Sequence, residues 1–324
     1  FRGPADAISG KLRLNSPRVY GGIDGFRALA HSKLDAVVVT SPPYFHPEHV
    51  QEAVGAGKHV YIAKPVAVDV AGCQSIQAAA GNAAGKLSVW VDWQTRRSPA
   101  FQEAARRVHQ GEIGEPVMAM AGFHGGILPR KDTAGMTADQ ARLANWVFDK
   151  ALSGDIIVEQ NIHMLDVANW FLRSRPLKAF GTAGRKARVA VGDTSDHFIV
   201  TYWYPNGVKV DFSGTQFLKG GRQIFTRLYG SEGSVLAYYG GALSIEGSKP
   251  WKGVPKDATM GYTVENVKGF VESIRGGAPI NNVATGVEST LSAILGRIAS
   301  EREQIVTWDE MLKADQKHEI ILKV

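Results

Sequence analysis

Residues 35–70 read DAVVVTSPPYFHPEHVQEAVGAGKHVYIAKPVAVDV. "AVVVT" (36–40) is a short apolar run that stops at Ser41-Pro42-Pro43. "PEHVQEAVGAG" (47–57) has Pro47 near its first turn and glycines after its end, the punctuation of a helix. "HVYIA" (59–63) is a second apolar run, ending at Lys64-Pro65. Apolar runs joined through a helix, without polar alternation, predict a parallel sheet covered on both faces. "DVAGCQSIQAAAGNA" (69–83) and "LSVWVDW" (87–93) continue the alternation as helix and strand. The expected fold class is α/β, a doubly wound parallel sheet.

Working outward, "SPAFQEAARRVHQGEIGEP" (98–116) reads as a helix stopped by Gly111, and the domain boundary is expected there, giving units 1–116 and 117–324. "HFIVTYWY" (197–204), Pro205-Asn206-Gly207 and "VKVDFSGTQF" (208–217) form a strong hairpin signal. "RQIFTRLYG", "GSVLAYY" and "ALSIEG" continue as strands, and 285–303 reads as a late amphipathic helix. The second unit is therefore expected to be α+β, a large, mostly antiparallel open sheet with helices on one side.

Of the 324 residues, 44% are hydrophobic and 21% charged, an ordinary globular composition with length for two domains. The net charge of +6 is spread without a dense basic stripe, so no nucleic-acid partner is expected. No apolar run approaches a membrane span, and no membrane partner is expected. A single cysteine, Cys73, allows no internal disulfide and fits a cytoplasmic protein. A signal peptide preceding Phe1 would make it periplasmic or secreted.

A dinucleotide-binding domain usually carries G-x-G-x-x-G between its first strand and helix. "GAGKHV" (55–60) runs from helix into strand, the wrong order, and "GGIDGF" (21–26) lacks the spacing. Residues 1–22 read as an irregular connection. A sheet starting at "AVVVT" would expose an unpartnered edge. The opening strand–loop–helix unit is therefore expected to lie outside this sequence.

Ligands of open α/β sheets bind beyond the carboxyl ends of the strands. Three strands end in polar or special residues here: Ser41-Pro42-Pro43 with His46 beyond, Lys64-Pro65, and Trp93-Gln94. A lysine at a strand end points into a cleft and escapes burial. The second cluster is "GDIIVEQNIHMLDVANWF" (154–171). Read as one helix, it places Glu159, His163 and Asp166 at i, i+4 and i+7 on a shared face. A carboxylate one turn before a histidine can hold its tautomer, as an acid/base pair needs. A Glu–His pair at this spacing is also compatible with plain packing, and Asp166 with a hydrogen bond inside the second domain. His46-x-x-His49 has no third ligand nearby, so no metal is expected. Trp93, Trp146 and Trp170 are candidates for core, with Trp93 the best placed as a sugar platform.

Together, residues 35–70, "VDWQTRRSPAFQEA" (91–104) and "GDIIVEQNIHMLDVANW" (154–170) resemble the Gfo/Idh/MocA oxidoreductases, the family of glucose–fructose oxidoreductase and inositol dehydrogenase. The likeness covers roughly the first 175 residues, and the remainder matches in layout only. It implies a Rossmann domain for NAD or NADP and a C-terminal domain whose open sheet forms homodimers or homotetramers. It also implies that Ser41, Pro42, Pro43 and His46 line the nicotinamide side, that Lys64 of the family's E-K-P motif lies at the active site, often before a cis-proline, and that Glu159 and His163 match D-x-x-x-H. Gln94 matches the strand-end residue that approaches the cofactor. Ala63 stands where the family carries glutamate.

The expected reaction is hydride transfer between a sugar or polyol hydroxyl carbon and the nicotinamide. His163 takes the hydroxyl proton, Glu159 fixes the imidazole, and Lys64 stabilises the oxygen. Trp93 is expected beside the cofactor, and His124, Arg130, Trp146 and Asn161 around the other hydroxyls of a carbohydrate substrate. Two alternatives use the same scaffold. One is a glycoside-cleaving or isomerising enzyme with tightly bound NAD and no net redox. The other is a non-catalytic sugar sensor, against which the retention of Lys64 and His163 argues.

Overall fold

The computed structural model describes residues 11, 18–253, 262–314 and 317–322. Most of the expected N-terminal connection lies outside them. After α1 (Gly25–Ala30), strand β1 (Ala36–Val39), helix α2 (His46–Gly55), strand β2 (His59–Ile62), helix α3 (Val70–Asn82) and strand β3 (Val89–Val91) alternate as expected. The three strands are parallel in the order β1-β2-β3. The Asp69 carboxylate accepts from Gly72 N (2.7 Å) and starts α3. Strand β3 is shorter than the apolar run 87–93. Trp93 N–H donates back to Val91 O (2.9 Å), a tight turn that ends the strand. Both faces of β2 and β3 are covered, but β1 is the sheet edge among the described residues, and Val38 on it is 59% exposed.

Helix α4 (Pro99–His109), capped by Ser98, leads to β4 (Pro116–Gly125), the first strand of the second sheet. Helices α5 (Ile156–Glu159) and α6 (Ile162–Leu172) follow, then β5 (Lys178–Gly184), β6 (His197–Trp203), β7 (Lys209–Gln216), β8 (Gln223–Gly230), β9 (Gly233–Tyr238) and β10 (Leu243–Gly247). With β11 (Val306–Thr307) the order is β10-β9-β8-β4-β7-β6-β5-β11, antiparallel except for the parallel pair β4–β7. The β6–β7 hairpin turns through Asn206 (φ 59°) and Gly207 (φ 76°), the left-handed pair that an Asn-Gly turn supplies.

Strand alternation gives this sheet two different faces. Ala119, Ala121, Phe198, Val200, Val210 and Phe212 are buried on the helix side. Met118 (40%), Met120 (43%) and Ile199 (64%) stand exposed on the other, so the sheet is open as expected.

The chain then returns to the first sheet. Helix α7 (Tyr262–Arg275) lays Phe270 against Tyr61 and Trp90, and Trp90 Nε1 donates to Asn266 Oδ1 (2.7 Å). Asn281 pairs with Val89 in a parallel bridge. Helix α8 (Val283–Arg302) then packs on α3, α6 and β5. Helices α7 and α8, both from the second half of the chain, thus supply the second cover of the parallel sheet.

Candidate active site

The carboxyl ends of β2 and β3 meet the α5–α6 junction and the end of β9. Strand β2 ends at Ile62, so Lys64 lies past the strand, after a half-buried Ala63 and before a cis Lys64–Pro65 peptide. Lys64 Nζ donates to Glu159 O (2.5 Å) and Glu159 Oε1 (3.2 Å), and both side chains are largely shielded from solvent. This ion pair joins the segment after β2 to the end of α5.

The pairing corrects the expected Glu159–His163 dyad. Residues 154–171 are not one helix: α5 ends at Glu159, and Gln160 and Asn161 intervene before α6 begins. In an unbroken helix the Glu159 carbonyl would accept from the His163 N–H. Here that carbonyl accepts from Lys64, and the Glu159 carboxylate turns the same way. His163 Nδ1 is buried and has no hydrogen-bond partner among the described residues. The imidazole is held instead by rings, with the Tyr239 centroid 5.1 Å away and Trp93 edge-on at 6.1 Å. Burial, reinforced by the Lys64 charge, pushes the His163 pKa well below its usual value. At neutral pH the ring is an uncharged proton acceptor.

Asp166 does not share a face with a catalytic pair either. It is fully buried and takes a bidentate bond from Arg96 (Nε 2.9 Å to Oδ2, Nη2 2.9 Å to Oδ1), with Ser289 Oγ donating at 2.7 Å. Arg96 also lies over the Trp170 ring at 5.1 Å. The pair locks α6, which carries His163, to the segment that carries Gln94.

His46 is buried behind the strand ends. Its Nε2 is 2.8 Å from Ser41 O and its Nδ1 3.0 Å from Pro65 O, so the ring sits between the exits of β1 and β2, its single neutral N–H free to donate to one of the two carbonyls. Burial outweighs these carbonyls and lowers its pKa to about 4. Unfolded histidine binds its proton near 6.5. Between those values the unfolded chain holds more protons than the folded one, so stability falls as pH drops from about 6.5 toward about 4. His163 acts in the same direction. Thermal unfolding should therefore move to lower temperature between pH 7 and pH 5; a flat or rising midpoint contradicts this.

Ser41 Oγ contacts His49 Nδ1 (3.0 Å), Pro42 is half-buried and Pro43 buried. Trp93 is 1% exposed, so its face is no open sugar platform. Its indole N–H is buried without an acceptor among the described residues. Asn161 is also fully buried with both amide atoms unpartnered, and it fits only because β7 has Gly214 there. A Cβ at Gly214 would stand 2.1 Å from Asn161 Oδ1.

The other expected substrate residues are not gathered here. His124 is on the open face of the large sheet, with Nε2 3.1 Å from Ser213 Oγ, and the sheet itself separates it from His163. Arg130 is exposed in the loop after β4, and Trp146 is half-buried in a single 3₁₀ turn. Sequence reading missed Tyr239. Its hydroxyl donates to Gln94 Oε1 (2.8 Å), joining the two sheets directly over His163, and burial with the nearby Asp92 charge raises its pKa to about 12. The available signal was parity: Val235 and Ala237 face inward on β9, and Tyr239 continues that face.

Among the described residues, no three His, Cys, Asp or Glu side chains group as a metal site. No helix among them is long and apolar enough to cross a membrane.

Comparison with known proteins agrees with this architecture. Residues 18–91 match the profile described as "Oxidoreductase family, NAD-binding Rossmann fold", and residues 101–236 that of the GFO/IDH/MocA C-terminal domain. An inositol 2-dehydrogenase of Burkholderia lata is 26% identical over 265 residues, 79% of this chain and 71% of that protein. Among solved structures, an oxidoreductase domain protein from Kribbella flavida superposes with TM-score 0.77 at 21% identity, covering 94% of this chain and 88% of that one. The aldose-aldose oxidoreductase of Caulobacter crescentus, solved with glycerol, gives TM-score 0.75 at 19% identity, covering 95% and 89%. With both sheets, their connection and both family profiles in agreement, the chain belongs to the Gfo/Idh/MocA oxidoreductase family and carries its NAD-binding Rossmann domain.

Proposed function

We propose that this protein is a nicotinamide-dependent dehydrogenase of a sugar or polyol, using NAD or NADP. The observation that carries the reading is the convergence of Lys64, Glu159 and His163 between the two sheets, with an uncharged imidazole beside an ion-paired ammonium. The residues present fit the nicotinamide end of the cofactor. Ala63 and Gln94 are half-buried at the strand ends, and the Trp93 indole N–H is a buried donor of the kind a carboxamide oxygen satisfies. The bound nicotinamide supplies the hydride acceptor.

The chain's own groups do the proton chemistry. His163 accepts the proton of the substrate hydroxyl as the carbonyl forms. Lys64 donates a hydrogen bond to the oxygen that gains negative charge. Glu159 holds the ammonium in place and offsets its charge. Tyr239 packs against the imidazole and ties it to Gln94. Buried Trp93 and Asn161 shield the site from bulk water.

Turnover of sugars and inositols with NAD and NADP, followed as reduced nicotinamide, tests this reading. Lys64→Met should lower kcat by about 10²–10³, as loss of a positioned oxyanion donor does. Removing the Lys64 charge should also raise the His163 pKa toward its usual value, moving the acidic limb of the rate profile to higher pH. Full activity of Lys64→Met, or an unmoved limb, removes Lys64 from the chemistry. The exposed apolar residues on the open sheet face support pairing with a second copy of the chain. A monomer mass in light scattering contradicts that part.

A further inference from the structure

The turn that delivers Glu159 begins with two unusual residues. Gly154 has φ 81°, and Asp155 has φ 73° and ψ 166°, a region that essentially only glycine occupies. An aspartate persists there because its side chain is fully engaged. Oδ1 accepts from Ile156 N (2.7 Å) and Ser195 N (2.9 Å), and Oδ2 accepts from Ser195 Oγ (3.0 Å) with Lys150 Nζ at 3.7 Å. The carboxylate is completely buried. From the other side, buried Arg297 donates through Nη1 to Gly154 O (3.1 Å) and Val68 O (2.8 Å). The Asp155 carbonyl then accepts from Val158 N (3.1 Å) and Glu159 N (3.0 Å), so the same residue that is anchored to Ser195 starts the turn ending at Glu159.

We infer that Asp155 is a positioning residue: its buried carboxylate fixes the direction of turn 155–159 and thereby the place where Glu159 holds Lys64. Glycine alone would satisfy the backbone; only the carboxylate ties the turn to Ser195, in the connection that leads into β6. The role in catalysis rests on the dehydrogenase reading above, and the geometric claim does not.

The test compares Asp155→Gly, which relieves the backbone and removes the anchor, with Asp155→Asn. Asparagine has the size and shape of the aspartate already held in this conformation and keeps Oδ1 for the two N–H donors, while Ser195 Oγ can accept from its amide. Two readouts are taken on the full chain: kcat with a polyol, and the rate of Lys64 acylation by acetic anhydride, resolved by peptide mass spectrometry. Asp155→Gly should lower kcat by about 10²-fold at similar KM, as a misplacement near 1 Å does, and should speed Lys64 acylation severalfold. Asp155→Asn should stay near wild type in both. Unchanged acylation in Asp155→Gly, or acylation as fast in Asp155→Asn as in Asp155→Gly, overturns the inference. If Asp155→Gly does not fold, Ser195→Ala decides: faster Lys64 acylation supports the anchor, and the wild-type rate overturns it. A wild-type protein that oxidises no polyol defeats the dehydrogenase reading, while the acylation contrast still decides the role of Asp155.

Discussion

His163→Ala is expected to lower kcat for polyol oxidation by about 10²–10⁴, the range that a positioned general base contributes. No nearby side chain among the described residues can take over. Lys64 donates to Glu159 in an ion pair. Glu159 is turned away toward Lys64. Tyr239, with its pKa raised to about 12, donates to Gln94 and is no base at neutral pH. The variant should fold, because the deleted imidazole leaves one unpartnered nitrogen fewer in the interior. The KM should change much less than kcat, since the lost interaction forms as the proton moves. Added imidazole should restore part of the rate by entering the space left behind. Steady-state kinetics with and without imidazole read the outcome, and a rate near wild type would exclude His163 as the base.

Asp166→Ala is expected to cost stability, about 3–5 kcal/mol, the range for stripping one partner from a buried ion pair. The lower end applies if the Arg96 side chain, 24% exposed, swings toward solvent. Against a typical stability of about 5–15 kcal/mol this is a large fraction. Both Arg96 and Ser289 lose their acceptor, and α6 loses its tie to the Gln94 segment. Urea unfolding should show the midpoint shifted down without a change in slope. The double variant Arg96→Met/Asp166→Leu should recover part of the loss, because no charge is then left unpaired. A single variant as stable as wild type would contradict the structural role of this pair.

Much of the fold was legible because periodicity follows burial. The apolar stretches within 59–63 and 87–93 mark strands covered on both faces, and Asn206-Gly207 marks the hairpin. Lys64 was legible for the same reason, as a charge where an apolar run must end. The Glu159–His163 pair misled because i, i+4 spacing is the same whether or not a helix runs through it. At the break the Glu159 carbonyl accepts from Lys64, 95 positions away, a contact that no local pattern contains. His124 was misplaced because "VMAMAGFHG" puts apolar residues on both faces of β4, so composition does not reveal which face meets the helices. The partners of Asp166 and Tyr239 lie on the other sheet's segment, and only the assembled fold brings them in. Asp155 was hidden because nothing in its neighbours announces a positive φ.

On the proposed reading, one site between the two sheets moves a hydride from a polyol carbon while His163 takes the hydroxyl proton. The most direct measurement is deuterium transfer from a polyol labelled at the oxidised carbon to the nicotinamide ring, read by mass spectrometry of the recovered cofactor. Label is expected on the cofactor with the wild-type protein, and almost none in the same time with His163→Ala. No label from any sugar or inositol, or equal label from both proteins, would contradict it.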